Sequence, residues 1–215
     1  MLFDFFGRRN VCGCDCPPEC PAPYDRNTLP PATPVPQEIC CCPMPRKCCC
    51  PPALPTSVLL TSGTGSALQL TADAGASTNF AVIGTGGAII KYAPISPSVT
   101  LTPAEQAAAV VLPSPAVIRS LSVSMTLSAA VTASSASVYA ALLSATTDSD
   151  VFGIVPGSTV VLASGLTSAT PAGSTLTGYV SLCACVTGKL ALAVFATDVT
   201  AASITGYVQG MIGIR

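Results

Sequence analysis

Thirteen of the chain's 20 prolines and ten of its 12 cysteines lie before Thr56. Proline fixes φ and removes a backbone donor, so this stretch can form neither a continuous helix nor a central strand. From Pro17 to Pro55 it is expected to run extended, with polyproline II character and local turns. The piece from Asn27 to Pro36 reads as a semi-rigid spacer. Residues 1–56 are therefore expected to be a Cys/Pro-rich connector arm, too polar and proline-rich to fold alone and ordering only on docking. Residues 57–215 are expected to be the folded domain.

In that second region the pattern is of short strands of small and β-branched residues. Leu121, Val123, Met125 and Leu127 alternate with serines and threonines from Ser120 to Ser128, giving one apolar and one hydroxyl face. Similar runs are Ser57–Thr61, Phe80–Ile83, Ala88–Tyr92, Val99–Leu101, Val138–Leu143, Ser158–Leu162, Thr175–Leu182, Leu190–Phe195 and Ile204–Ile214. Turn signals separate them: Gly63-Thr64-Gly65, Gly84-Thr85-Gly86-Gly87, Pro156-Gly157 and Pro171-Ala172-Gly173. Only Pro103–Val110, with Glu105, Gln106 and a run of alanines, suits a helical turn or two. Many short strands with regular turns argue an all-β sandwich of the jelly-roll kind. Its hydroxyl faces suit either burial between subunits or a solvated face carrying sugar.

Charged residues make up 9% of the chain, with a net charge of −1, against roughly 25% in soluble globular proteins. A chain that must stay apart from its copies usually carries more charge, so this composition points to a surface covered by neighbouring copies. No basic patch invites nucleic acid. Histidine is absent, which removes the commonest general base and metal ligand and every Ser-His-Asp or Cys-His arrangement. Asp148 and Asp150, the one close carboxylate pair of the second half, sit in a Thr-Thr-Asp-Ser-Asp stretch that reads as a polar turn. No catalytic residue and no cofactor is expected, and the chain is not read as an enzyme.

Mean hydropathy is +0.62, yet the richest stretch, Val180 to Val199, contains Lys189, Asp198 and Gly188. A spanning helix wants about 20 apolar residues with few or no charges, so no membrane span is expected. Met1 to Arg9 places its apolar residues, with Asp4 among them, before the Arg8-Arg9 pair. A secretion signal has the opposite order, and none is expected.

The cysteines fall into groups: Cys12, Cys14, Cys16 and Cys20; the triplets Cys40-Cys41-Cys42 and Cys48-Cys49-Cys50; and Cys183 with Cys185 in the folded region. Two residues apart on a strand, Cys183 and Cys185 project from one face. Their Cα atoms would lie about 6.5–7 Å apart with nearly parallel Cβ vectors, a poor geometry for a mutual bridge. The arm holds the only other thiols, so arm-to-domain disulfides, within a subunit or between neighbours, are expected. The alternative is a pair of buried, unbridged small cysteines. Clustered thiolates also suit zinc or an iron–sulfur cluster, but these spacings contain no clean Cys-x-x-Cys pair of pairs, and no metal site is assigned.

From about Pro115 to Arg215, and more weakly back to Ser57, a series of local patterns carries a family resemblance. They are Ala116-Val117-Ile118-Arg119-Ser120-Leu121, Val138-Tyr139-Ala140-Ala141-Leu142-Leu143, Val151-Phe152-Gly153-Ile154-Val155-Pro156-Gly157-Ser158-Thr159-Val160, Leu190 to Ala196 and Ile204-Thr205-Gly206-Tyr207-Val208. In this order they resemble the C-terminal domain of the collagen-like exosporium glycoproteins of the BclB/BclA type. The resemblance implies a jelly roll of the tumour-necrosis-factor-like type, usually trimeric, displayed on the spore surface and made in the mother cell without a signal peptide. There is no Gly-X-Y repeat, so the family's stalk is missing and the Cys/Pro-rich arm stands in its place. That architecture is similar to cysteine-linked endospore appendage subunits.

The expectation is therefore a structural subunit of a spore-surface layer or fibre, its partners being copies of itself, as trimer and polymer, and other spore-surface proteins. All 12 cysteines are candidate cross-link positions. The rival expectations are a trimeric adhesin or receptor-binding head anchored by its arm, and a cysteine-rich metal-binding protein.

Overall fold

The computed structural model describes residues 56–63 and 67–215. The expected arm, apart from Thr56, and the Thr64-Gly65 part of the first turn signal lie outside the described residues. The described chain is all-β. In order it forms β1 (Thr56–Thr61), β2 (Leu68–Asp73), β3 (Ala76–Ser77), β4 (Phe80–Ile83), β5 (Ala88–Lys91), β6 (Ser98–Thr100) and the short helix α1 (Pro103–Gln106). There follow β7 (Val110–Leu127), β8 (Ala136–Ala145), β9 (Val151–Ile154), β10 (Val160–Leu166), β11 (Thr175–Thr197) and β12 (Ala202–Ile214). No described helix is long and apolar enough to cross a membrane.

Every pairing between these strands is antiparallel, and all belong to one curled sheet. One half is built on β12, which pairs with β7 along one edge and with β2 and then β1 along the other. The second half is built on β8, flanked by β11 on one side and by β9 and β10 on the other. β11 joins them. Its residues Thr175 to Leu190 pair with β7, and Lys189 to Thr197 pair with β8, with β4 on the opposite edge.

The sequence suggested two strands, Thr175–Leu182 and Leu190–Phe195, where the structure has one of 23 residues. Gly188, between those two runs, is the corner. Its φ is +80°, and a Cβ there would meet Ala145 O at 2.5 Å and Thr147 N at 2.6 Å. Only glycine lets β11 turn so close to the end of β8. The facing strand yields too. Leu112 pairs with Gly188 and Ala116 with Val186, so Pro113 to Pro115 form an unpaired step in β7. Prolines, which lack a donor, are tolerated at such an irregularity and not in a regular central ladder.

Curling closes a core between the two halves. Leu121, Val123 and Met125 from β7, Val208 and Ile212 from β12, and Leu190, Leu192 and Val194 from β11 all point into it. The second half is buried on its other face as well. Phe80, Val82, Ala141, Leu143, Ala191, Ala193 and Phe195 pack there with Val99, Leu101, Phe152, Ile95, Ala108 and Ala109. That double burial accounts for the unbroken apolar run at the end of β11, because a strand covered on both faces loses its alternation. The helical turn expected at Pro103–Val110 is α1, closed by a capping box between Thr102 and Glu105.

Buried polar side chains stitch the places where strands end. The segment Ser158–Leu162 was expected to be a strand, but β10 begins at Val160 and runs on to Leu166. Ser158 instead accepts a hydrogen bond from Leu142 N–H at 3.0 Å, filling the gap between β9 and β10 along β8. Asn79 accepts from Thr71 N–H at 2.8 Å and donates to Gln69 O at 3.0 Å, covering the free edge of β2. Ser62 accepts from Val208 N–H at 3.1 Å where β12 passes from β1 to β2. No described buried side-chain nitrogen or oxygen lacks a partner, as a stable interior requires.

Candidate assembly face

The outer surface of the first half combines hydroxyl and apolar side chains. β7 turns Ser120, Ser122, Ser124 and Thr126 outward while its apolar partners enter the core. Register then fixes their neighbours. Ser122 lies beside Met211 of β12 and Tyr179 of β11, and Met211 lies beside Leu59 of β1. Leu59, Met211 and Tyr179 are 59%, 51% and 65% exposed. Rows of hydroxyls flank this apolar row: Ser120 pairs with Ser181, and Ser124 with Thr177 and Gln209. Tyr179 Oη and Ser181 Oγ share a hydrogen bond of 2.9 Å.

No described charged side chain stands within this patch. Ten of the 19 charged residues precede Thr56, and the other nine lie outside the patch, Arg119 just beyond its end. Lys91 and Glu105 form an ion pair at 3.0 Å. Burial pushes the Glu105 carboxyl up, but hydrogen bonds from Thr102 and Lys91 outweigh it and hold the group below its ordinary value. Lys189 Nζ donates to Gln106 Oε1 at 2.8 Å and Ser149 O at 3.1 Å, which fixes α1 against β11. Asp198 is buried beneath the loop before β8. Desolvation raises its carboxyl, but donors from Ser135, Ser134 and Thr200 prevail and hold it below the ordinary range. Asp148 and Asp150 occupy the β8–β9 turn, as their setting suggested.

The two domain cysteines stand at one end of the same face. Leu182 and Ala184 pack against the core, so Cys183 and Cys185 both point outward, as strand parity implied. They do not bridge each other, since Cys183 is a half-buried free thiol. The ladder between β11 and β7 shifts register between Ser181 and Ala184, and the β7 ladder to β12 shifts between Ser120 and Ile118. Arg119 sits in that irregularity, with its Nη1 3.8 Å from Cys183 Sγ. Bulges of this kind re-aim side chains. Here the bulge brings a cation to the thiol.

Cys12, Cys14, Cys16, Cys20, Cys40, Cys41, Cys42, Cys48, Cys49 and Cys50 lie outside the described residues. Among the described residues no three His, Cys, Asp or Glu side chains are grouped closely enough to hold a metal ion. Arg119 and the apolar row are the functional candidates that pattern reading passed over. Neither has a signal in the sequence alone, because both depend on which residues the register sets side by side. Comparison with protein-family models, with curated proteins and with solved structures gives no match to this chain.

Proposed function

We propose that this chain is a self-assembling structural subunit of a spore-surface layer or fibre, in which β domains oligomerise about a threefold and N-terminal arms tie copies together by disulfides. The curled sheet is read here as a jelly roll, its two halves being the two layers and β11 the strand that passes from one to the other. The observation that carries the reading is the pair of outward cysteines on β11. Cys185 is not bridged to its neighbour Cys183, which is a free thiol. We assign its partner in the assembly to the arm of an adjacent copy, since the ten remaining thiols of each chain all lie in the arm. A covalent tie removes dissociated states and is typically worth about 2–4 kcal/mol per bridge. Its role is durability rather than turnover, and the spore surface is the setting that the resemblance to exosporium glycoproteins supplies.

The full-length chain, purified without reductant and run on a denaturing non-reducing gel, is expected to form a ladder of covalent multimers that collapses to one band with a thiol reductant. Cys185→Ser is expected to shorten that ladder markedly. A single monomer band under both conditions would sink the cross-linking proposal.

A further inference from the structure

We infer that the outer face of β1, β12, β7 and β11 is a twofold contact surface for a second copy of this chain. The inference rests on the assembly reading above and adds to its threefold a second contact, which joins one unit to the next. Three properties of the face favour a copy over any other occupant. Its row from Leu59 to Tyr179 bears no charged side chain, Arg119 lying beyond it at the cysteine end, so a basic or acidic partner finds no counter-charge along the row, whereas the row meets its own copy without repulsion. It carries knobs and a trough together. The small side chains of Ser120, Ser122 and Ser124 run between taller Met211 and Gln209 on one side and Tyr179 on the other. Rotation about an axis between Met211 and Ser122 lays Met211 of one copy into the serine trough of the next and Leu59 against Tyr179. Such self-complementarity is what an isologous contact demands.

The third property is size. Four strands about 4.8 Å apart and seven residues of about 3.3 Å each span roughly 19 by 23 Å of flat sheet. That is about half of the ~800 Å² per partner in a standard interface. One face alone therefore gives a weak contact, which a covalent tie or repetition along a polymer makes lasting. The cysteines at the end of the same face are placed to supply the tie.

The test uses the full chain with thiol reductant present, so that disulfides contribute nothing, and reads association by analytical ultracentrifugation. Met211→Lys is expected to weaken self-association by roughly tenfold or more through like-charge apposition, with an unchanged melting temperature because the site is exposed. Mixing Met211→Lys with Met211→Glu copies is expected to restore it. Tyr179→Lys is a second variant at the other end of the row and is expected to behave alike. Folded variants that associate like the wild type overturn this surface and leave the assembly reading standing. A wild-type chain that is monomeric under reductant but forms covalent multimers without it overturns the surface together with the threefold contact and leaves the disulfide tie standing. Monomers under both conditions overturn both.

Discussion

Gly188 stands where β11 leaves one half of the sheet for the other, with φ at +80°. An alanine there pays for the left-handed backbone, about 1–2 kcal/mol, and drives its Cβ against Ala145 O, Thr146 C and Thr147 N. These are backbone atoms and cannot swing aside. Gly188→Ala is expected to lose roughly 2–4 kcal/mol in urea unfolding, and a loss under about 0.5 kcal/mol would refute the corner role. In the sequence the same glycine counted only against a membrane span, because composition does not give the sign of φ. Ser158 did mislead. A serine beside a β-branched run reads as a strand residue, yet its hydroxyl stands in for a missing strand at Leu142. The outward pair Cys183 and Cys185 was legible, since parity on a strand needs only counting. Arg119 was not, because nothing local announces that a bulge will aim it at Cys183.

Asp198 shows how elements, rather than residues, are held. It follows β11, and its carboxylate accepts from Ser134 and Ser135 in the loop before β8 and from Thr200 at the approach to β12. Its backbone carbonyl accepts from Gly75 in the β2–β3 turn. Because the folded carboxyl is held below the ordinary Asp value, its contribution is fully present above the unfolded value of about 3.9. It is lost as pH falls through the folded value. Thermal unfolding is therefore expected to show melting temperature dropping below about pH 4, with Asp198→Asn less stable at neutral pH and flatter in acid. An acid slope equal to that of the wild type would contradict the clamp. The alternation around Leu121 to Leu127 predicted β7's inner half correctly, since that stretch is covered on one face only. β3 escaped notice because its two residues take their definition from their partner, whereas β2 and β9 were passed over although they are as long as β1 and β4. The first part of β7 was masked by its prolines, which fall in the unpaired step opposite Gly188.

On the scale of the whole molecule, charge and thiols are distributed against the usual order. The folded domain carries nine of the 19 charges over three-quarters of the chain, and the sheet face from Leu59 to Tyr179 carries none. Short alternating runs separated by turn signals were enough to give an all-β fold for the described residues. They could not give the curl of the sheet, which follows from β11 serving both halves. Nor could they assemble the row from Leu59 to Tyr179, which exists only once four strands are in register. The proposed assembly joins copies of this domain durably by disulfides. Electron microscopy of the purified full-length chain, before and after heating with a strong thiol reductant, tests it most directly. Ordered fibres or layers are expected that persist on heating alone and come apart when reductant is added. Discrete particles of one size, identical with and without reductant, would contradict it.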